Sequence, residues 1–348
     1  MLFTSEQVSR GHPDKICDQI SDAVVTDCLC HDRHSRVAVE ALIKDAHVTL
    51  AGEITSNHEP DYQALVSSVL CRCEPAIQDT FDLSVFLTKQ SKDIAQGVDK
   101  KGAGDQGMMF GYATEETEKM LPLPFVLATE AIERLENCGA AFLLHDAKAQ
   151  VTFDYSHHAI DTFLISTQHK VDVGQEDVFT LCKDIMTGIA QDYKLNTDFK
   201  ALVNPTGRFV NGGSLADTGV TGRKIMCDTY GGASRHGGGA FSGKDPTKVD
   251  RSGAYMARKI AKDIVREGFA RHCEVQLAYA IGVEEPVSIA VETFRSGLVP
   301  AAYIVNWIRK RYDLTPNGII SFLGLLDVNY EQTAVYGHFW HPWMPWEE

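Results

Sequence analysis

The sequence lacks the features of several large protein classes. No apolar run approaches the roughly 18 residues that a membrane-spanning helix needs, and the first residues lack the basic and apolar regions of a secretory signal peptide. The net charge of −14 argues against general binding to nucleic acid or to an anionic membrane surface. We therefore expect a cytoplasmic protein with no nucleic-acid partner and no membrane partner.

Cysteine is present without the spacing of a metal site or the even count of a disulfide framework. There are nine cysteines, and the pairs Cys28/Cys30 and Cys71/Cys73 are separated by one residue, whereas zinc sites usually place two to four residues between ligands. Reduced thiols are the simpler prediction. With 348 residues, 44% of them apolar and 23% charged, the chain has the composition of an ordinary globular protein of two or three domains.

Glycine and positive charge are concentrated in one part of this acidic chain. Residues 204–252 contain eleven of the 28 glycines and seven Lys or Arg against four Asp. The richest stretch, 231–245, holds six glycines together with Arg235 and Lys244. Glycines let backbone N–H groups approach an anion, and Lys and Arg bind phosphate oxygens. The pattern predicts a site for a small polyanion such as the polyphosphate of a nucleotide.

The same stretch partly matches a Walker A loop. Gly238, Gly243 and Lys244 have the required spacing, but Asp245 stands where a Ser or Thr would hold magnesium. A true P-loop is therefore the weaker interpretation. A flexible surface loop is the other alternative, although such loops rarely place cations at fixed offsets from glycines.

A pattern of two strands followed by a helix occurs three times. Each pair of strands is joined by a short polar connection, and the units are spaced by roughly 115–120 residues. The strand pairs are 37–43 with 48–54, 151–155 with 162–166, and 274–280 with 287–293; the helices that follow are near 60–79, 175–192 and 299–311. The repetition predicts three related domains, each a sheet covered by helices on one face.

Two further predicted helices begin directly after polar motifs. One starts at Ile16 after Gly11-His12-Pro13-Asp14-Lys15, and the other starts at Val249 after the glycine-rich stretch. Helix N-termini favour anions, and Asp14 and Asp250 are candidate Mg²⁺ ligands near these starts. Each is equally a residue type that favours a helix start. Asp105 is framed by glycines within 102–107. This pattern indicates either a carboxylate that binds an ammonium group or a plain turn.

Five segments together resemble one family. They are 11–15, 102–107, 204–209, 221–224 and 237–245. They look like the signatures of the S-adenosylmethionine synthetases, also called methionine adenosyltransferases, and the resemblance runs from Phe3 to Trp346.

The resemblance implies an α+β subunit of three related sheet-plus-helix domains with pseudo-threefold symmetry. We expect sequence domains at 1–95, 104–216 and 217–348, with a lid loop at 92–103. The implied reaction joins ATP and L-methionine into S-adenosyl-L-methionine and hydrolyses the released tripolyphosphate to phosphate and pyrophosphate. The implied cofactors are two Mg²⁺ per site and K⁺, and the implied partner is a second copy of the chain, because family sites form between two subunits.

The resemblance also implies roles for individual residues. The catalytic group would be His12, Lys148, Arg223 and Lys244. ATP and its phosphates would contact these four residues together with Phe209, Asp217 and Lys224. Methionine would contact Glu53, Gln90, Asp105 and Lys248. The metal ligands would be Asp14 and Asp250 for Mg²⁺ and Glu40 for K⁺.

The chain departs from the family pattern at several positions. Arg10 stands where an acid is usual, Lys92 stands where a proline is usual, and the segment before Gly102 is short. These differences keep two alternatives open. One is a homologue that binds ATP or S-adenosylmethionine with little turnover, and the other is an unrelated phosphotransferase.

Overall fold

The structure, a computed structural model, describes residues 1–89 and 102–348. Gln90 and residues 92–101 of the predicted lid at 92–103, Lys92 among them, lie outside the described residues. The strands are β1 (Leu2–Val8), β2 (Arg36–Lys44), β3 (His47–Thr55), β4 (Asp82–Thr88), β5 (Gly107–Thr114), β6 (Leu143–Asp154), β7 (Ala159–His169), β8 (Lys200–Val203), β9 (Gly219–Val220), β10 (His272–Tyr279) and β11 (Ser288–Glu292).

Eight α-helices are present in the described ranges. They are α1 (Pro13–His31), α2 (Tyr62–Cys73), α3 (Leu123–Asn137), α4 (Gln175–Asp192), α5 (Ile225–Asp228), α6 (Val249–Arg266), α7 (Ala301–Arg311) and α8 (Pro316–Phe322). None of the helices in this part of the chain combines the length and the apolar character needed to cross a membrane.

Three sheets are built around the three predicted hairpins. The N-sheet has the order β4-β3-β2-β9, the M-sheet has the order β8-β7-β6-β1, and the C-sheet has the order β11-β10-β5. The hairpins form because apolar residues alternate along their strands; in β2, Val37, Val39, Ala41 and Ile43 are buried while their neighbours are not. The mixed helices and sheets confirm the predicted α+β architecture.

Each sheet receives one strand from another part of the chain. β1 precedes the β2–β3 hairpin but pairs with β6 of the M-sheet. β5 precedes the β6–β7 hairpin but pairs with β10 of the C-sheet. β9 precedes the β10–β11 hairpin but pairs with β2 of the N-sheet. Each of the three sheets therefore receives one strand from the unit that precedes it or, for the N-sheet, from the last unit. This cyclic exchange is the relation expected of pseudo-threefold symmetry. The domain limits 1–95, 104–216 and 217–348 stay predictions, and every one of these ranges lends a strand to a neighbour.

One helix packs against each sheet from the inside. α1 packs on β2, α3 packs on β1 and β6, and α6 packs on β5 and β10. Their central residues are almost completely buried, among them Ile16, Ile20, Val126, Ile132 and Ile260. These three helices therefore contribute much of the buried interior, and the N-termini of α1 and α6 hold the two predicted Mg²⁺ ligands.

Candidate functional site

The first half of the candidate site lies at the start of α1. His12 is the N-cap residue and Pro13 is the first helical residue, a position that tolerates the missing N–H of proline. The backbone N–H of Asp14 donates to Nδ1 of His12 over 3.2 Å. Burial, together with Lys224 and Lys148, lowers the pKa of His12 to about 3. The ring is therefore neutral, and with Nδ1 accepting, Nε2 carries the proton and can donate it to a ligand oxygen.

Asp14 is held from two sides, by β9 and by the segment that follows it. Its Oδ1 accepts the backbone N–H of Val220 at 2.9 Å, and its Oδ2 lies 2.5 Å from Nζ of Lys224. Burial alone would raise the pKa of Asp14, but the hydrogen bonds from Lys224 and Val220 hold this pKa below its usual value. Asp14 is therefore an ionised carboxylate in a fixed orientation.

The glycine-rich stretch docks on the N-sheet. Gly243 has φ +82°, and a Cβ there would lie 1.9 Å from the carbonyl oxygen of Val39. The backbone N–H of Val39 donates to Gly243 at 2.9 Å, and Lys244 forms a bridge with Ala38. This close approach requires glycine, and it places Lys244 at the edge of the sheet.

Asp245 has a structural role that explains the mismatch with a Walker A loop. It is fully buried; its Oδ2 accepts the backbone N–H of Val37 at 2.6 Å, and its Oδ1 accepts the N–H and hydroxyl of Thr247 at 2.9 and 2.7 Å. The ammonium of Lys248 also contacts Oδ2. The carboxylate therefore fastens the loop to β2.

The second half of the candidate site lies at the start of α6. Oδ2 of Asp250 is 2.5 Å from Nζ of Lys244. Gly239 comes so close that a Cβ there would lie 2.5 Å from Cγ and Oδ1 of Asp250. A Cβ at Gly107, at the start of β5, would lie 3.5 Å from the same Oδ1. Backbone from the glycine-rich stretch and from the segment that carries Asp105 thus surrounds Asp250.

A row of three aspartates on α1 connects the two halves. Asp14, Asp18 and Asp22 follow one another at four-residue spacing and therefore share one face of the helix. Asp18 accepts the N–H of Gly222 at 2.8 Å, and Asp22 accepts the N–H of Gly243 at 2.9 Å. The row spans roughly 12 Å at 1.5 Å per residue. One rigid helix thus sets the distance between the Thr221–Lys224 segment and the glycine-rich stretch.

The last acid of this row forms a fully buried ion pair. The two terminal guanidinium nitrogens of Arg251, Nη1 and Nη2, donate to Asp22 at 2.7 and 3.0 Å, and Nη1 also donates to the carbonyl of Lys244 at 3.0 Å. Sequence reasoning missed Asp18, Asp22 and Arg251. The four-residue spacing of acids along an otherwise buried helix was the available signal, since only partnered carboxylates tolerate such burial.

The carboxylates fit divalent cations by their chemistry. Asp14 and Asp250 each point an oxygen at an ammonium group 2.5 Å away, so each carboxylate already faces a positive charge. Carboxylate oxygens together with phosphate oxygens are the ligands that Mg²⁺ prefers. Gly239 leaves space beside Asp250 that a side chain would fill.

Other predicted residues lie close to this framework. Lys148 on β6 is opposite Val8 of β1 and lowers the pKa of His12, whereas Asp217 raises it, so both charges are within electrostatic reach of the ring. Phe209 is half-buried, and its backbone N–H donates to Nε2 of His169 at 3.2 Å. Arg223 is exposed beside Lys224.

Of the predicted methionine and K⁺ residues, Glu53 and Glu40 lie on the exposed face of the N-sheet, Asp105 lies just before β5, and Lys248 is the N-cap residue of α6. Glu53 is opposite Ala38, the residue that bridges to Lys244. Glu40, two residues after Ala38, is exposed, as is Asp105. Lys248 is engaged by Asp245, and Gln90 lies outside the described residues. The roles of all these residues stay predictions.

Comparison with protein-family profiles gives three matches that follow one another along the chain. The N-terminal domain of S-adenosylmethionine synthetase matches residues 1–92, its central domain matches 100–209, and its C-terminal domain matches 211–348. Together they cover nearly the whole chain, which confirms the resemblance drawn from the sequence. The chain therefore belongs to the S-adenosylmethionine synthetase family and is a methionine adenosyltransferase, an enzyme that makes S-adenosylmethionine from ATP and methionine.

Proposed function

We propose that the chain carries out the reaction by direct attack of the methionine sulfur on C5′ of ATP. A sulfur lone pair forms the S–C5′ bond, the C5′–O5′ bond breaks, and tripolyphosphate leaves with the bonding electrons. Water then cleaves the tripolyphosphate into phosphate and pyrophosphate. The observation that carries the proposal is the pair of carboxylate–lysine contacts, Asp14 with Lys224 and Asp250 with Lys244, connected by α1.

Stabilisation of the leaving group is the main task of such a site. A thioether is an uncharged nucleophile that needs no general base, whereas tripolyphosphate is highly anionic. Positive groups placed before the reaction therefore contribute most of the electrostatic stabilisation. We assign this role to Lys148, Arg223, Lys224 and Lys244, with in-line placement of sulfur and C5′ supplying much of the remainder.

His12 is assigned to the 5′ oxygen. Its pKa of about 3 keeps the ring neutral near pH 7, so it acts by donating a hydrogen bond from Nε2 to the oxygen on which charge develops. The bond from the N–H of Asp14 to Nδ1 fixes this tautomer. His12 thereby stabilises the departing oxygen without first taking up a proton.

Asp14 and Asp250 would each hold one Mg²⁺, and Glu40 would hold K⁺. Mg²⁺, when bound, supplies positive charge to phosphate oxygens and restricts their orientation. Lys224 and Lys244 lie at the same carboxylates, so each lysine is free to turn from its aspartate to a phosphate once a metal ion neutralises that aspartate.

The remaining assignments concern substrate recognition. Phe209 would stack on adenine, and Asp217 would accept hydrogen bonds from the ribose. Glu53, Gln90, Asp105 and Lys248 would contact methionine. In a single chain Glu40, Glu53 and Lys148 are exposed, which supports a site that a second copy of the chain completes. All nine cysteines are free thiols, which supports a location in the reducing cytoplasm.

Mass spectrometry of the products tests the proposal directly. With ATP, L-methionine, Mg²⁺ and K⁺, we expect S-adenosylmethionine, phosphate and pyrophosphate in equal amounts. With ¹⁸O-labelled water, the label should enter phosphate or pyrophosphate and not S-adenosylmethionine. Binding of ATP without any product would instead support a homologue with little turnover, and phosphoryl transfer to an acceptor would contradict the proposal.

A further inference from the structure

Two histidines and an aspartate meet at the end of α1 opposite to the candidate site. Asp27 and His31 lie one helical turn apart, and His58 follows β3. Nε2 of His58 is 2.7 Å from Oδ2 of Asp27, and Nδ1 of His31 is 3.5 Å from Oδ1 of the same carboxylate. The ligand atoms of the three residues all lie within 4.8 Å of one another. At 1.5 Å per residue, Asp27 and His31 are about 22 and 28 Å from His12 along the helix.

The loop that carries His58 is fastened to the end of α1. Asp32, the C-cap residue, accepts the backbone N–H of Asn57 at 2.9 Å and its side-chain N–H at 3.1 Å. Ser56 accepts the backbone N–H of His58 at 3.0 Å. These hydrogen bonds hold the loop against α1 and thereby position His58, the third ligand, beside Asp27.

The cluster has the ligand chemistry of a zinc site. Tetrahedral Zn²⁺ bonds of 2.0–2.2 Å place ligand atoms roughly 3.4 Å apart, so short rotations of the side chains suffice. The rings of His31 and His58 are stacked with centroids 3.9 Å apart. His31 is exposed, and its ring turns away from the 2.9 Å contact between Nδ1 and the carbonyl oxygen of Asp27 to reach the ion. The C-terminal end of a helix carries partial negative charge, which favours a cation there.

We propose that Asp27, His31 and His58 bind one borderline divalent transition-metal ion, Zn²⁺ being the best match. Two imidazoles and one carboxylate leave a fourth position open to water. Mg²⁺ is a poor substitute because it prefers oxygen ligands in an octahedral arrangement. The ion joins the last turn of α1 to the end of β3, so it stabilises the N-sheet and its inner helix and takes no part in the transfer reaction.

The test is calorimetric titration of the intact protein with Zn²⁺ in excess Mg²⁺ and a non-chelating reductant. We expect one site per chain. His31→Ala is the main variant because His31 is exposed and its loss keeps the Asp27–His58 contact. It should weaken Zn²⁺ binding by at least ~10-fold, since loss of even an outer partner of a ligand costs that much. Asp27→Asn and His58→Ala should abolish the site.

The matched control is His157→Ala. His157 forms the same kind of contact, with Nδ1 2.7 Å from Oδ2 of Asp154, but among the described residues no third His, Cys, Asp or Glu lies close enough to share an ion with this pair. This variant should bind Zn²⁺ like the unchanged protein, and so should Cys30→Ser, which removes the nearest exposed thiol of α1. Unchanged affinity in His31→Ala and His58→Ala, or loss of the site in Cys30→Ser, would overturn the proposal.

Thermal unfolding gives an independent readout. Because the site requires the folded arrangement of α1 and the loop, excess Zn²⁺ should raise Tm by at least ~3 °C, and this increase should be smaller in His31→Ala at the same Zn²⁺ concentration. S-adenosylmethionine formation by His31→Ala without added Zn²⁺ should equal that of the unchanged chain. This result separates the proposal from the assignment of the transfer reaction.

Discussion

The two carboxylate–lysine pairs of the candidate site have the same contact distance and different surroundings. Asp14 is 4% exposed and is also held by a backbone N–H, whereas Asp250 is 30% exposed, with a contact distance of 2.5 Å in both pairs. The buried pair is fixed by a helix and a distant segment of the chain. The exposed pair joins two residues only six positions apart in one loop and the helix that follows. The difference indicates that the half around Asp14 is preformed and positions the reacting atoms. The exposed half, around Asp250, can adapt and receives the polyphosphate.

The largest expected effect is at His12, in the preformed half. His12→Asn should lower S-adenosylmethionine formation by roughly 10²–10⁴-fold, the range for a positioned proton donor, because the hydrogen bond to the 5′ oxygen is lost. Hydrolysis of added tripolyphosphate should fall much less. Both activities can be measured on one preparation by product quantification. Equal losses would assign His12 to phosphate binding in general and would remove the proposed distinction between the halves.

Replacement of either metal-binding carboxylate should have a similarly large effect. Asp14→Asn and Asp250→Asn should each lower S-adenosylmethionine formation by at least ~100-fold, since each removes charge stabilisation worth several kcal/mol. Raised Mg²⁺ should recover part of the activity of Asp250→Asn and little of that of Asp14→Asn, because only the exposed half can readjust. A Mg²⁺ titration of initial rates checks this. Near-normal turnover in either folded variant would show that its ligand assignment is wrong.

The free energy of unfolding should depend on the buried ion pair between Asp22 and Arg251. Asp22→Asn leaves the fully buried Arg251 without its counter-charge, so the free energy of unfolding should fall by about 3–5 kcal/mol. The control is Asp327→Asn, since Asp327 forms a comparable contact with Arg33 on the surface, and this variant should change little. Urea denaturation measures both. A small effect of Asp22→Asn would mean that the glycine-rich stretch is held mainly by its contacts with β2.

The smallest effect is expected at Gly239, whose backbone lies close to Asp250 in the exposed half. Gly239→Ala places a methyl group against Asp250, which should shift that carboxylate and lower kcat/KM for ATP roughly tenfold. Gly188→Ala, in α4, meets only a side-chain nitrogen of Arg134 at 3.7 Å and should leave kcat/KM unchanged. Steady-state kinetics compares the two. Equal behaviour of both variants would show that the space beside Asp250 is not needed.

Much of the fold could be predicted because its signals are local. Alternating apolar residues predicted the three hairpins, and the observed strand ends agree with those predictions within three residues, except that β6 begins eight residues before its predicted start. β1 and β5 were not predicted. β5 reads Gly-Met-Met-Phe-Gly-Tyr-Ala-Thr and is buried over most of its length, so it shows little alternation. Its partner β10 follows more than 150 residues later, and no local pattern specifies such a pairing.

The sequence by itself predicted a polyanion site, because glycine and lysine at fixed spacing carry their chemistry wherever they fold. The family and the substrates followed from the resemblance of its motifs, which the family profiles confirm. Only the tertiary structure decided that Asp245 fastens the loop, that Asp22 supports it, and that Asp27, His31 and His58 meet. The physical reason is that hydrogen bonds and burial depend on which distant segments come together. Asp22 and Gly243 are 221 positions apart in the chain, yet in the fold Oδ1 of Asp22 lies 2.9 Å from the backbone nitrogen of Gly243.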